Sequence, residues 1–165
     1  MTLVDLNASD RDGFVAAIGW VFEHSPWAAE RAWRRRPFGS LDDLHGALVA
    51  EVSAARPEEQ LALLCAHPDL GSRARMTDAS ASEQSGAGLD SLTVDEFERL
   101  HHLNQAYRTK FGFPFLFAVK GSTKHDVLAA LAGRLSATPD HELAEALRQV
   151  CRIAWFRLQD VVDAS

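Results

Sequence analysis

Three side chains in this sequence could move protons and hold an anion. His67 stands in Ala66-His67-Pro68-Asp69-Leu70, at the end of an apolar helical run, and Glu83 follows in Ser80-Ala81-Ser82-Glu83-Gln84. An imidazole changes charge near neutral pH, and a neighbouring carboxylate can orient and charge it. If the fold brings the two together, they make an acid–base pair. The third side chain is Arg157. Turning about 100° per residue, the last helix sets Leu143, Leu147, Val150, Ile153, Ala154, Leu158 and Val161 in one apolar stripe. Arg157 falls near the middle of that stripe, whereas Arg148 and Arg152 fall on the polar side. A guanidinium facing a core is costly unless it meets an anion or reaches water.

Each of these residues also has a structural reading. His67 can cap helix carbonyls before a proline. Glu83 can close a capping box with Ser80, and Ser80 and Gln84 can serve the same short helix. Arg157 is divided evenly between a structural salt bridge and a site for a carboxylate-bearing ligand. His101-His102 cannot act together from one helix, because adjacent side chains diverge. The sequence has no His-Glu-x-x-His, no Cys-x-x-Cys, no phosphate-binding glycine loop and no Gly-x-Ser-x-Gly elbow. Arg34-Arg35-Arg36 reads as a solvated helix end, and the four tryptophans as core or subunit-contact residues.

The elements that must position these groups are helices. Ser9-Asp10-Arg11-Asp12 resembles a capping box ahead of Phe14, Val15, Ile18, Val21 and Phe22. Ser25-Pro26 reads as a cap followed by proline at the first helical position. Ser40 opens the next helix, Pro57 another that runs to His67-Pro68, and Ser80-x-x-Glu83 a short one. Thr93-x-x-Glu96, Thr123-x-x-Asp126 and Thr138-Pro139 start three more. Phe113–Val119 is ambiguous between an extended segment and a buried helical turn. The expected fold is all-α, a single domain over residues 1–165 with about seven or eight helices. Its irregular stretches, near 68–88 and 112–121, are where a site would be placed.

Composition limits the choice of function. A chain of 165 residues with 47% hydrophobic and 24% charged residues is that of a globular protein able to bury a core. A formal net charge of −6 argues against nucleic acid as a general partner. No stretch is long and apolar enough for a membrane span, no signal peptide is evident, and the C-terminus is not a Ser-Lys-Leu address. A cytoplasmic protein is the expectation. Cys65 and Cys151 match no metal-ligand spacing and are expected to be buried thiols.

Longer motifs run along nearly the whole chain. They comprise Phe22-Glu23-His24-Ser25-Pro26-Trp27, Arg36-Pro37-Phe38, Ala66-His67-Pro68-Asp69-Leu70 and Ser80-x-x-Glu83-Gln84-x-x-Ala87-Gly88-Leu89. Leu103-Asn104-x-Ala106-Tyr107-x-x-Lys110-Phe111-Gly112-Phe113-Pro114-Phe115, Val119-Lys120-Gly121 and Ile153-x-x-x-Arg157-Leu158 complete the series. In order and spacing the chain resembles the 2-oxo-4-hydroxy-4-carboxy-5-ureidoimidazoline (OHCU) decarboxylase family of urate degradation.

The resemblance implies an all-helical enzyme acting on a small molecule, without a cofactor or metal, that yields (S)-allantoin and carbon dioxide. It implies His67 and Glu83 as the catalytic pair and Arg157 as a substrate-gripping residue. Pro68, Ser80 and Gln84 match binding positions, and Phe115, Leu116, Phe117, Ala118 and Val119 match a segment whose backbone contacts substrate. A homodimer fits the family. The resemblance does not fix how the stretch 71–77 covers the site. Two other classes remain open from the residues alone: a non-catalytic helical interaction module, and a metal-dependent hydrolase using His67, Asp69 and Glu83.

Overall fold

The computed structural model describes residues 1–72 and 75–163. Among these are nine α-helices, two short 3₁₀ turns and no β-strand, so the all-α expectation holds. The helices are α1 (Leu3–Ala8), α2 (Arg11–Ile18), α3 (Trp27–Ala32), α4 (Leu41–Ala54), α5 (Pro57–Cys65), α6 (Asp78–Gly86), α7 (Val94–Phe111), α8 (Lys124–Arg134) and α9 (Pro139–Val161). The chain divides into two compact units, Met1–Ala66 with the residues from Val150 onward, and His67–Gln149.

The first unit holds α1 to α5 and the last part of α9. The helix that raises the total to nine, beyond seven or eight, is α1. Thr2 accepts from the Asp5 N–H, while the Asp5 carboxylate accepts from the Thr2 N–H. This reciprocal cap stabilises six residues that have little hydrophobic periodicity to announce them. In α3, Ala28, Ala29 and Ala32 are buried, and such small side chains let α4 lie close against it. The caps shift by a residue from expectation. Asp10, not Ser9, caps α2 by accepting from Gly13 N–H at 2.8 Å. Pro26 stands at the cap position of α3, and the Ser25 hydroxyl donates to the Glu23 carbonyl instead.

The second unit holds α6, α7, α8 and the first part of α9. Its core gathers Leu100, Tyr107, Phe113, Phe115, Val127, Leu131 and Ala146. The boxes at Thr93/Glu96 and Thr123/Asp126 form as the spacing predicts. Gly112 ends α7 in the left-handed conformation, which costs a glycine little.

Glu96 does more than cap. It also accepts from Lys124 Nζ at 2.7 Å, and Lys124 followed by the Thr93 N–H lowers its carboxyl to about 2. A carboxylate depressed in the folded state stabilises above its unfolded pKa and loses that contribution as pH falls through the folded value. The Tm gap between the parent and Glu96→Gln is therefore expected to be widest above about pH 4.5 and to close towards pH 2. A gap that does not change over this interval refutes the ion-pair contribution.

The two cysteines differ from expectation. Cys65 is exposed on α5, because the helix turns Leu63 and Leu64 inward instead. Cys151 is half-buried, and desolvation pushes its thiol up to about 11. No helix among the described residues is long and apolar enough to cross a membrane.

Candidate active site

His67 opens the second unit immediately after the capped end of α5, and Pro68 prevents further helix. Its imidazole is 7% exposed. The turn that follows is pinned from α6 and α7. Gln84 Oε1 accepts from Gly71 N–H at 2.8 Å, Asn104 Nδ2 donates to Leu70 O at 2.9 Å, and Arg108 binds Asp69 at 2.9 Å. Gly71 has φ +71°, and an added Cβ would lie 2.4 Å from a Leu100 methyl. Only glycine fits this turn without strain.

Helix α6 is polar, and it nevertheless buries one face. Thr77, rather than Ser80, is its cap, so Ser80 moves one turn inside. Ser80, Glu83 and Gln84 then share one side at i, i+3 and i+4. Ser80 and Gln84 are buried, and Glu83 is half-buried. Burying a polar helix face costs free energy unless its groups are bonded, so the sequence accepts that cost for something other than a core. The stretch 71–77 includes Arg73 and Ala74, which lie outside the described residues. A cavity of about 210 Å³ opens where Asp69–Ser72 faces Phe97, His101 and Asn104, and neither His67 nor Glu83 lines it.

Phe113–Val119 resolves as a segment with neither helical nor strand pairing, buried except at the half-buried Phe117. Leu116 O accepts from Arg134 at 2.6 Å, Ala118 N–H donates to Gln149 at 2.9 Å, and Val119 O accepts from Ser122 N–H at 2.9 Å. The N–H groups of Leu116, Phe117 and Val119 have no acceptor among the described residues. Such donors are rarely left unpaired in a buried segment.

Behind this segment lies a group that the sequence pattern does not single out. Glu142 is fully buried, accepts from Tyr107 Oη at 2.6 Å and pairs with Arg134. Burial, and then the bond to Glu142, push the Tyr107 phenol above its ordinary range, so it stays a donor. The inward stripe of α9 is correspondingly corrected. Glu142 and Ala146 face the core, while Leu143 is exposed. Helical spacing could have placed Glu142 inward, as it does Arg157, had the stripe been started one residue earlier.

Arg157 belongs to the first unit and is 3% exposed. Its guanidinium donates to Glu23 Oε1 at 2.9 Å, to Val21 O at 3.3 Å and to Trp20 O at 3.5 Å. Glu23 is equally buried, so the inward arginine has a counter-ion and a fixed orientation. Among the described residues no group of three or more His, Cys, Asp or Glu is arranged to hold a metal ion, and Asp69 is paired with Arg108.

A buried imidazole and a buried carboxamide beside irregular backbone, within one helical unit, are the features of an enzyme for a small polar substrate. A family model described as OHCU decarboxylase matches residues 7–159. The chain belongs to that family. It is 47% identical over 160 residues to the 2-oxo-4-hydroxy-4-carboxy-5-ureidoimidazoline decarboxylase of Haloferax volcanii, covering 97% of this chain and 95% of the relative. It is 45% identical over 161 residues to a uric acid degradation bifunctional protein of Bacillus subtilis, covering 98% of this chain but 33% of that longer protein. Among solved structures it resembles an (S)-allantoin synthase with a TM-score of 0.83 and 38% identity, covering 100% of this chain and 55% of that one.

Proposed function

We propose that His67 and Glu83 are the proton-transferring pair of this enzyme, that Arg157 holds an anionic group of the substrate, and that backbone N–H groups of Phe115–Val119 face the developing oxyanion. Pro68, Ser80 and Gln84 complete the binding positions. The reaction is decarboxylation of 2-oxo-4-hydroxy-4-carboxy-5-ureidoimidazoline to (S)-allantoin and carbon dioxide in urate degradation. The observation that supports the assignment most is the 113–119 segment, whose backbone donors at Leu116, Phe117 and Val119 meet no acceptor among the described residues.

The chemistry accounts for the residue types. Breaking the bond to the carboxylate sends its electron pair towards the adjoining ring C=N bond, so the hydroxyl-bearing carbon becomes doubly bonded to its ring-carbon neighbour. With the hydroxyl deprotonated, the product of this step is an enolate. Donors aimed at its oxygen lower the barrier because they stabilise charge that only the transition state develops. The enolate carbon must then take a proton on one face. Glu83 orients and charges His67, which handles the substrate hydroxyl or delivers that proton. Arg157 fixes which face is presented, its planar fork suited to a carboxylate or ureido oxygen.

The test uses freshly made uricase product, already hydrolysed at its ring lactam, followed by ultraviolet absorbance and circular dichroism. The expected result is rapid appearance of optically active allantoin, unchanged by a chelator. Racemic product at the spontaneous rate overturns the reading, and loss of rate on chelation favours the metal-dependent alternative.

The family resemblance also supports a homodimer in the cytoplasm, and the unbroken α9 supports a single folding domain. A mass of 18.1 kDa in light scattering removes the dimer, and two separate melting transitions remove the single domain.

A further inference from the structure

The buried polar group of the second unit has no part in proton transfer, yet it grips the backbone assigned to the oxyanion. We infer that Tyr107, Glu142 and Arg134 are positioning residues that fix and polarise the Leu116–Phe117 peptide, making Phe117 N–H the donor to the developing oxyanion. This inference rests on the reading of Phe115–Val119 as a substrate-facing segment.

The argument begins with peptide geometry. A trans peptide is planar, with its C=O and N–H pointing in opposite directions. Arg134 Nη1 holds Leu116 O at 2.6 Å, so the Phe117 N–H of the same peptide is aimed away from Arg134. The next peptide is pinned in the other sense, with Ala118 N–H donating to Gln149 Oε1 at 2.9 Å. Gln149 is itself held by Glu145 at 2.9 Å. Two consecutive peptide planes are thus fixed by side chains from α8 and α9, in a segment that has no helix or strand to fix them. Of these two planes, the Phe117 N–H is the one with no acceptor among the described residues.

The charge on Arg134 does what a neutral donor could not. A cation on the carbonyl draws electrons from the peptide and strengthens its N–H as a donor. The guanidinium is held in turn by Glu142, whose carboxylate is held by the Tyr107 hydroxyl. Arg134 also lies over the Phe115 ring, 4.5 Å from its centroid, and Tyr107 packs edge-on to the same ring. Arg134 and Tyr107 therefore both bear on the segment, and Glu142 acts through them. Stability alone does not require these charges, since apolar residues of similar volume commonly replace a buried ion pair without loss.

That fact supplies the experiment. The triple variant Tyr107→Phe/Arg134→Met/Glu142→Leu keeps the volume and removes the polar chain. Its expected behaviour is a Tm near the parent's, an unchanged KM and a kcat lower by about ten- to a hundredfold, the signature of an interaction made only in the transition state. Parent-like kcat in a folded triple variant overturns the inference. A higher KM with unchanged kcat also overturns it, by assigning the segment to ground-state binding. Should the triple variant not fold, Tyr107→Phe alone loosens the chain while keeping every ring contact, and a kcat equal to the parent's there overturns the inference too.

Amide exchange in the parent separates this from failure of the underlying reading. (S)-Allantoin is expected to slow exchange at Phe117. No slowing at any residue of 115–119 removes the segment from the site, and the inference with it.

Discussion

His67→Ala is expected to fold as the parent does and to lose roughly a hundred- to ten-thousandfold in kcat, the range that a positioned proton carrier contributes. The imidazole lies outside the helices, after the end of α5, and the turn behind it is held by Gln84, Asn104 and Arg108. Truncation therefore leaves the backbone bonds of Asp69–Gly71 in place. The substrate decays spontaneously to racemic allantoin, so absorbance alone would understate the loss. Circular dichroism counts only the product protonated on one face. The variant should give a racemic product at the spontaneous rate, with a melting temperature within a few degrees of the parent's. Near-parent turnover of optically active product would remove His67 from the mechanism.

Arg157→Lys is expected to raise KM at least tenfold while the protein stays folded. The choice of lysine follows from the magnitudes. Arg157→Ala would leave the Glu23 carboxylate buried without its counter-ion, at a cost of about 3–5 kcal/mol, enough to confuse unfolding with lost binding. Lysine keeps the charge beside Glu23. Its ammonium is a point donor and cannot hold Glu23 and the Val21 carbonyl while presenting a planar fork to an anion. A lost charge-assisted hydrogen bond is worth about 1.5–3 kcal/mol, or ten- to a hundredfold and more in affinity. Titration with (S)-allantoin alongside steady-state kinetics measures both quantities. Unchanged KM in Arg157→Lys would return this residue to a purely structural ion pair.

Much of this was legible in the residues themselves. The boxes at Thr93/Glu96 and Thr123/Asp126 and the proline start at Pro57 rest on side chains within a few positions of the backbone they satisfy, so local sequence determines them. The inward position of Arg157 follows likewise from the 3.6-residue period of one helix. The motifs that place the chain in the OHCU decarboxylase family are also linear features. Local patterns misplaced what depends on competition between neighbours. Thr77 displaced Ser80 as the cap of α6, because capping from Thr77 lets Ser80 and Gln84 turn to the buried side.

Only the tertiary structure decided the partners. Nothing near Arg157 in sequence reveals Glu23, 134 positions away, as the group that orients it. Phe113–Val119 could be assigned neither to strand nor to helix from its own residues, since its peptides are held by Arg134 and Gln149 from other helices. Tyr107, Arg134 and Glu142 each look ordinary in the sequence. Their burial together is what makes them costly, and a costly arrangement is stable only where distant parts of the chain supply the missing charge or hydrogen bond.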